Sequence, residues 1–165
     1  MTNAPVWLLD VDGVLNGSRT GWQSTPKSTW VTASDGNRYR LRWAPALIVG
    51  INLVQESGLI DVRWATSWIN DTTVLERALG LNPLPRAYTA PHGVWHARYK
   101  LTAALGVVAD GRRLIWTDDD AIPTEGPDRE YLDAAGALLI APTPSRGLRP
   151  ADWDTIRAYA LNEET

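Results

Sequence analysis

The chain has 165 residues, 44% of them hydrophobic and 21% charged, with a formal net charge of -3. This bounds it to a single compact domain, residues 1–165, with enough apolar material for a core and no bulk basic field for nonspecific nucleic-acid binding. It contains no cysteine, which excludes a disulfide framework, a thiolate metal site and a cysteine nucleophile, and fits a cytoplasmic protein.

In chain order, Val6-Trp7-Leu8-Leu9 is an apolar run of strand length that ends at Asp10. It is too short for a signal-peptide core or a membrane span, and no later stretch is long enough to span. Gly13 and Gly17 mark a turn. From Gly17 to Trp43 the sequence is polar, and Trp30-Val31-Thr32 and Tyr39 to Trp43 flank Asp35-Gly36-Asn37, the pattern of a β-hairpin. Pro45 opens a helix to about Ser57, stopped by Gly58, with Leu47, Ile48, Ile51 and Val54 as its apolar stripe. Leu59 to Ala65 reads as a second parallel strand.

A helix capped by Asn70 or Asp71 follows through Leu79, ended by Gly80. The spacing predicts a third helix over Val94 to Leu105, closed by Gly106, and a strand from Arg113 to Thr117 that runs into Asp118-Asp119-Asp120. A short helix over Tyr131 to Ala135, a buried strand over Ala137 to Ala141, and a helix from Pro150 or Asp152 to Leu161 complete the chain. Strands that alternate with helices give an α/β class with a mainly parallel sheet.

Two compositional features sharpen the reading. There are nine Trp and no Phe, so tryptophan must carry much of the aromatic packing. Among 16 basic residues only Lys27 and Lys100 are lysines.

The chemistry begins at Asp10-Val11-Asp12-Gly13-Val14-Leu15-Asn16. Two carboxylates leave a buried strand at the end where open α/β sheets bind ligands. Such a pair can hold a hard cation like Mg²⁺. One carboxylate can attack phosphorus, and the other can protonate a leaving oxygen and later deprotonate water. The triplet Asp118-Asp119-Asp120 places three more carboxylates after a buried strand, where their repulsion favours a divalent cation.

The run Leu8 to Asn16 resembles the first motif of the haloacid dehalogenase (HAD) superfamily. The resemblance implies a Rossmann-like three-layer core with a small β-hairpin flap or cap at about residues 17–43. It implies Asp10 as nucleophile and Asp12 as general acid/base, the metal touching the Asp10 carboxylate and the backbone carbonyl of Asp12. Thr66, in Trp64-Ala65-Thr66-Ser67-Trp68, matches the hydroxyl motif that binds a phosphoryl oxygen, with Ser67 the alternative. Lys100 matches the motif lysine that offsets phosphate charge, with Arg98 as its substitute. Asp118 and Asp119 match the acidic motif that completes the Mg²⁺ site, one binding directly and the other through water, with Asp119 favoured as the direct ligand. Asp120 is then read as a cap of the next segment.

Within the superfamily, dehalogenases lack an acid at the Asp12 position and cation pumps carry Thr there; phosphatases and phosphomutases keep Asp. A mutase needs a larger cap than residues 17–43 provide, so water is the expected acceptor. The expected substrate is a phosphomonoester, either a small molecule or a nucleotide or polynucleotide end. The motifs are also similar to small HAD domains related to RNA-repair proteins, where a polynucleotide terminal phosphate is the presumed substrate. Arg38, Arg40 and Arg42 share one face of the second hairpin strand, readable as a phosphate grip beside Trp22 and Trp30 or as a solvated outer face. A noncatalytic phosphate- or nucleic-acid-binding module on the same scaffold is the alternative function. No obligate protein partner is indicated. His92 and His96 lack a third ligand for zinc, and Ser67 lacks triad partners.

Overall fold

The computed structural model describes residues 4–162. Among them are six strands and five helices, in the order β1 (Val6–Leu9), β2 (Lys27–Thr32), β3 (Arg38–Trp43), α1 (Pro45–Glu56), β4 (Asp61–Trp64), α2 (Thr72–Leu79), α3 (Ala97–Ala109), β5 (Leu114–Thr117), α4 (Pro127–Ala134), β6 (Leu138–Ile140) and α5 (Pro150–Leu161). Four strands form one parallel sheet in the order β4-β1-β5-β6, and β2 pairs with β3 as a separate antiparallel hairpin. No helix among the described residues is long and apolar enough to cross a membrane.

β1 is buried along its whole length, and its alternation divides the core. Trp7 and Leu9 join a cluster built with α1, α2, α5 and the inner face of the hairpin; Val6 and Leu8 join a second cluster built with α3 and α4. Helices therefore cover both faces of the sheet, which explains why β1 reads as a continuous apolar run rather than an alternating one. Tryptophan fills the larger gaps. Trp7, Trp22 and Trp153 pack in tilted pairs with centroids 6.2 and 6.3 Å apart. Gly50 of α1 makes room for the Trp153 ring, which a Cβ there would meet at 2.6 Å. The Trp7 indole donates to Thr117 Oγ1 at 2.9 Å, tying β1 to β5.

Several elements differ from the sequence expectation. α3 starts at Ala97 and passes through Gly106 to Ala109; a glycine inside a helix costs only about 1 kcal/mol, and burial of Val107 holds the next turn in place. The αL turn falls instead at Gly111. α4 begins at Pro127, not Tyr131, because Gly126 and proline at the first helical position start it earlier. β6 is half-buried rather than buried because it is the sheet edge. Asp71 occupies the N-cap position of α2 but gives the helix no side-chain cap. Its carboxylate accepts from Ser34 N and Ser34 Oγ at 2.9 Å each, so it fastens the hairpin turn to the sheet domain.

Candidate active site

The strand order reverses direction between β1 and β5, and crevices at such a switch point are where open α/β sheets bind ligands. Register places Leu9 opposite both Trp64 and Thr117. The next residues, Ala65-Thr66, Asp10 and Asp118-Asp119, therefore emerge side by side at one edge of the sheet.

Asp10 and Asp118 are buried, and so is Lys100. The Lys100 ammonium reaches from α3 to Asp10 Oδ2 at 2.6 Å and Asp118 Oδ2 at 2.7 Å. Asp10 Oδ1 accepts the Val11 N–H at 2.7 Å. Asp118 Oδ1 accepts Asp120 N at 3.1 Å and Ala121 N at 2.8 Å. Asp118, not Asp120, thus caps the turn that follows β5. Asp119 is only partly buried, and its carboxylate lies directly over Gly13. Gly13 has φ of 70°, so this position demands glycine twice, for its conformation and for the space that Asp119 occupies.

One carboxylate oxygen each from Asp10, Asp118 and Asp119 lies within 4.8 Å of the others. When ionised, three carboxylates against one ammonium leave an excess of two negative charges, the complement of a divalent cation. The protonation behaviour of the metal-free group agrees. Burial, joined by the charge of Asp118 and opposed by Lys100, raises the pKa of Asp10 to about 7. Burial and the neighbouring Asp120 and Asp118 raise that of Asp119. Burial alone would lower the pKa of Lys100, but Asp10 and Asp118 outweigh it and raise it. Carboxylates that resist ionisation in a hard-oxygen pocket are what a bound cation relieves. The donor set therefore fits a hard divalent metal ion.

Asp12, expected among the metal residues, brings no carboxylate oxygen to this group. Its exposed carboxylate is held elsewhere, with Oδ2 accepting the Trp68 indole N–H at 2.9 Å and Oδ1 accepting Asn16 Nδ2 at 2.8 Å. Any share in the metal would fall to its main-chain carbonyl; the loop's own main-chain hydrogen bonds use the carbonyls of Val11 and Asn16. Asn16 also accepts the main-chain N–H of Arg42 at 2.8 Å. The loop that bears Asp12 is thereby tied to the hairpin.

Thr66 is fully buried and Ser67 is exposed. Thr66 Oγ1 accepts Trp68 N at 3.3 Å, and its carbonyl accepts the Tyr88 hydroxyl at 2.8 Å. Ser67 lines a cavity of about 360 Å³ together with Asp12 and Trp68. Arg98, on α3 like Lys100, faces a different cavity with Tyr88 and Tyr99. His92 lines the Asp12 cavity, whereas His96 packs on Tyr88 with ring centroids 6.0 Å apart. Neither histidine joins a metal group among the described residues.

Trp68 is both buried in the core and part of the cavity wall, and its hold on Asp12 is a role the sequence did not indicate. Comparison with protein-family models, with curated proteins and with solved structures finds no match in any of the three.

Proposed function

We propose that this chain is a Mg²⁺-dependent phosphomonoester hydrolase of the haloacid dehalogenase type that works through an aspartyl-phosphate on Asp10. The observation that carries the reading is the buried Lys100 bridge between Asp10 and Asp118, with Asp119 within ligand reach of both. A lysine on a helix and acids at two strand ends, far apart in the chain, converge on one point.

The Asp10 carboxylate attacks phosphorus in line as the bond to the leaving oxygen breaks. Asp12, whose carboxylate is held by Trp68 and Asn16, gives its proton to that oxygen. Asp12 then takes a proton from water, which hydrolyses the acyl phosphate, frees inorganic phosphate and restores Asp10. Lys100 donates two of its three N–H groups to Asp10 and Asp118, and the third is available to a phosphoryl oxygen. Thr66 and Ser67 offer hydroxyls to the same oxygens. Mg²⁺ held by Asp10, Asp118 and Asp119 would offset the phosphoryl charge that these carboxylates repel. Asp119 is the better direct ligand, because the Asp118 carboxylate already accepts three hydrogen bonds against two at Asp10.

The test is turnover of an aryl phosphate with Mg²⁺ and with chelator. Wild type should turn over only with the metal, and Asp10→Asn should lose activity while keeping its fold. Near wild-type activity in Asp10→Asn would remove the nucleophile assignment. Zero turnover over a broad phosphoester panel, with phosphate binding intact, would leave a noncatalytic binding module instead.

A further inference from the structure

Resting on the assignment of Asp12 as proton donor, we infer that the cavity beside Asp12 receives a positively charged leaving group, so that the preferred substrate is the monophosphate of an amino alcohol. The Asp12 carboxylate stands on the cavity wall, whereas Asp10 and Asp119 do not line it. A phosphoester attacked at phosphorus by Asp10, its leaving oxygen protonated by Asp12, extends its alcohol into this space. Its volume of about 360 Å³ suits a small organic group.

The chemistry of the walls decides what that group carries. Asp35 and Asp71 each bring a carboxylate, held in place by hydrogen bonds from Asn37 and Tyr39 and from Ser34, and no arginine or lysine lines the cavity. His92 is the sole lining residue able to bear positive charge. Tyr39 and Trp68 meet edge to face across the wall, with centroids 5.1 Å apart. Aromatic rings flanked by carboxylates attract an alkylammonium through the ring quadrupole and direct charge attraction. The same walls repel a leaving group that carries further phosphates or carboxylates.

The hairpin arginines do not reverse this sign. Cross-strand pairing puts Arg40 opposite Trp30 and Tyr39 opposite Val31. Arg38 and Arg40 therefore share the outer face, where the Arg38 guanidinium lies 5.5 Å from the exposed Trp30 ring. Tyr39, partly exposed, shares the opposite face with the buried Val31. The basic face and the cavity lie on opposite sides of one hairpin.

Choline phosphate and its uncharged isostere, 3,3-dimethylbutyl phosphate, separate charge from shape. With Mg²⁺, kcat/KM for the charged ester should exceed that for the isostere at least tenfold. A 3′-phosphorylated oligonucleotide should be poorer than both. Asp35→Asn and Asp71→Asn each keep one of the two oxygen acceptors that the hairpin uses and should shrink the choline-to-isostere ratio toward unity. Free choline should bind metal-free protein in calorimetry, and Asp35→Asn should weaken it.

Equal or reversed preference between the two esters, or preference for the oligonucleotide, overturns the inference while leaving the hydrolase intact. Choline binding that depends on Asp35, with no ester hydrolysed, upholds the cation pocket and removes the hydrolase. Absence of both choline binding and hydrolysis removes the two together.

Discussion

Trp68 gives Asp12 its direction. The indole N–H fixes one carboxylate oxygen and Asn16 the other. Trp68→Phe keeps a ring against Tyr39 but removes that donor. A proton donor out of position matters most when the leaving oxygen is basic. The substitution should therefore lower kcat/KM about tenfold or more for an alkyl phosphate and much less for a nitrophenyl phosphate. Equal losses on both esters would mean that Trp68 has only a structural role.

Gly13 is the second pressure point. Any Cβ there collides with the Asp119 carboxylate, so if Asp119 is a ligand Gly13→Ala should raise the Mg²⁺ concentration for half-maximal activity by about tenfold or more, the scale on which disturbing the surroundings of a ligand weakens metal binding. Unchanged Mg²⁺ dependence would show that Asp119 is not a ligand. The carboxylates and Lys100 are legible in the sequence because each follows an apolar strand or is a scarce residue type. The role of Trp68 is not, because its bond to Asp12 spans 56 positions and depends on how the segment after β4 folds back.

At the scale of elements, the hairpin owes its position to a few contacts outside its own ladder. Ser34 donates twice to Asp71, and Asn16 accepts from Arg42. Val31, Leu41 and Trp43 bury its inner face. Ser34→Ala removes the hydroxyl bond alone, a loss of about 1 kcal/mol at an exposed site. Hydrogen exchange of the β2–β3 amides should accelerate severalfold in this variant, with β1 and β5 amides unchanged. Uniform acceleration would instead indicate global destabilisation.

The hairpin and the apolar stripe of α1 are readable from alternation and helical spacing, and the structure reproduces Leu47, Ile48, Ile51 and Val54 as buried. The ends of α3 and α4 are not readable, since an interior glycine and a flanking proline each admit two boundaries until tertiary packing selects one. The diversion of Asp71 from helix cap to hairpin anchor is likewise invisible locally, because both uses need the same side chain at the same position.

Over the whole molecule, charge is arranged oppositely at the two ends of the sheet. At the amino ends of the strands, Asp61 binds Arg63 at 2.7 Å and Arg112 at 2.8 Å. Burial opposes its ionisation, but those hydrogen bonds and charges prevail and lower its pKa. A lowered carboxylate pKa stabilises the fold above the unfolded value and loses that contribution as pH falls through the folded one. At the carboxyl ends, Asp10 has the reverse sign. Burial raises its pKa to about 7 in the metal-free fold, against about 4 in the unfolded chain, so metal-free stability should fall as pH rises between those values.

The metal-free protein should therefore melt at a higher temperature near pH 5 than near pH 8. Asp10→Asn should flatten that decline, since it leaves Lys100 paired with Asp118 alone. Mg²⁺ should flatten it in the wild type, because a cation that binds only the folded, ionised site stabilises most where Asp10 is charged. Asp61→Asn should leave the neutral-side decline in place and cost roughly 1 kcal/mol at neutral pH, discounted for its partial exposure. Melting curves from pH 3 to 9, with Mg²⁺ and with chelator, read all these effects. A metal-free curve that rises from pH 5 to 8 would mean that Lys100 outweighs burial at Asp10 and that the site is already charge-balanced without a cation.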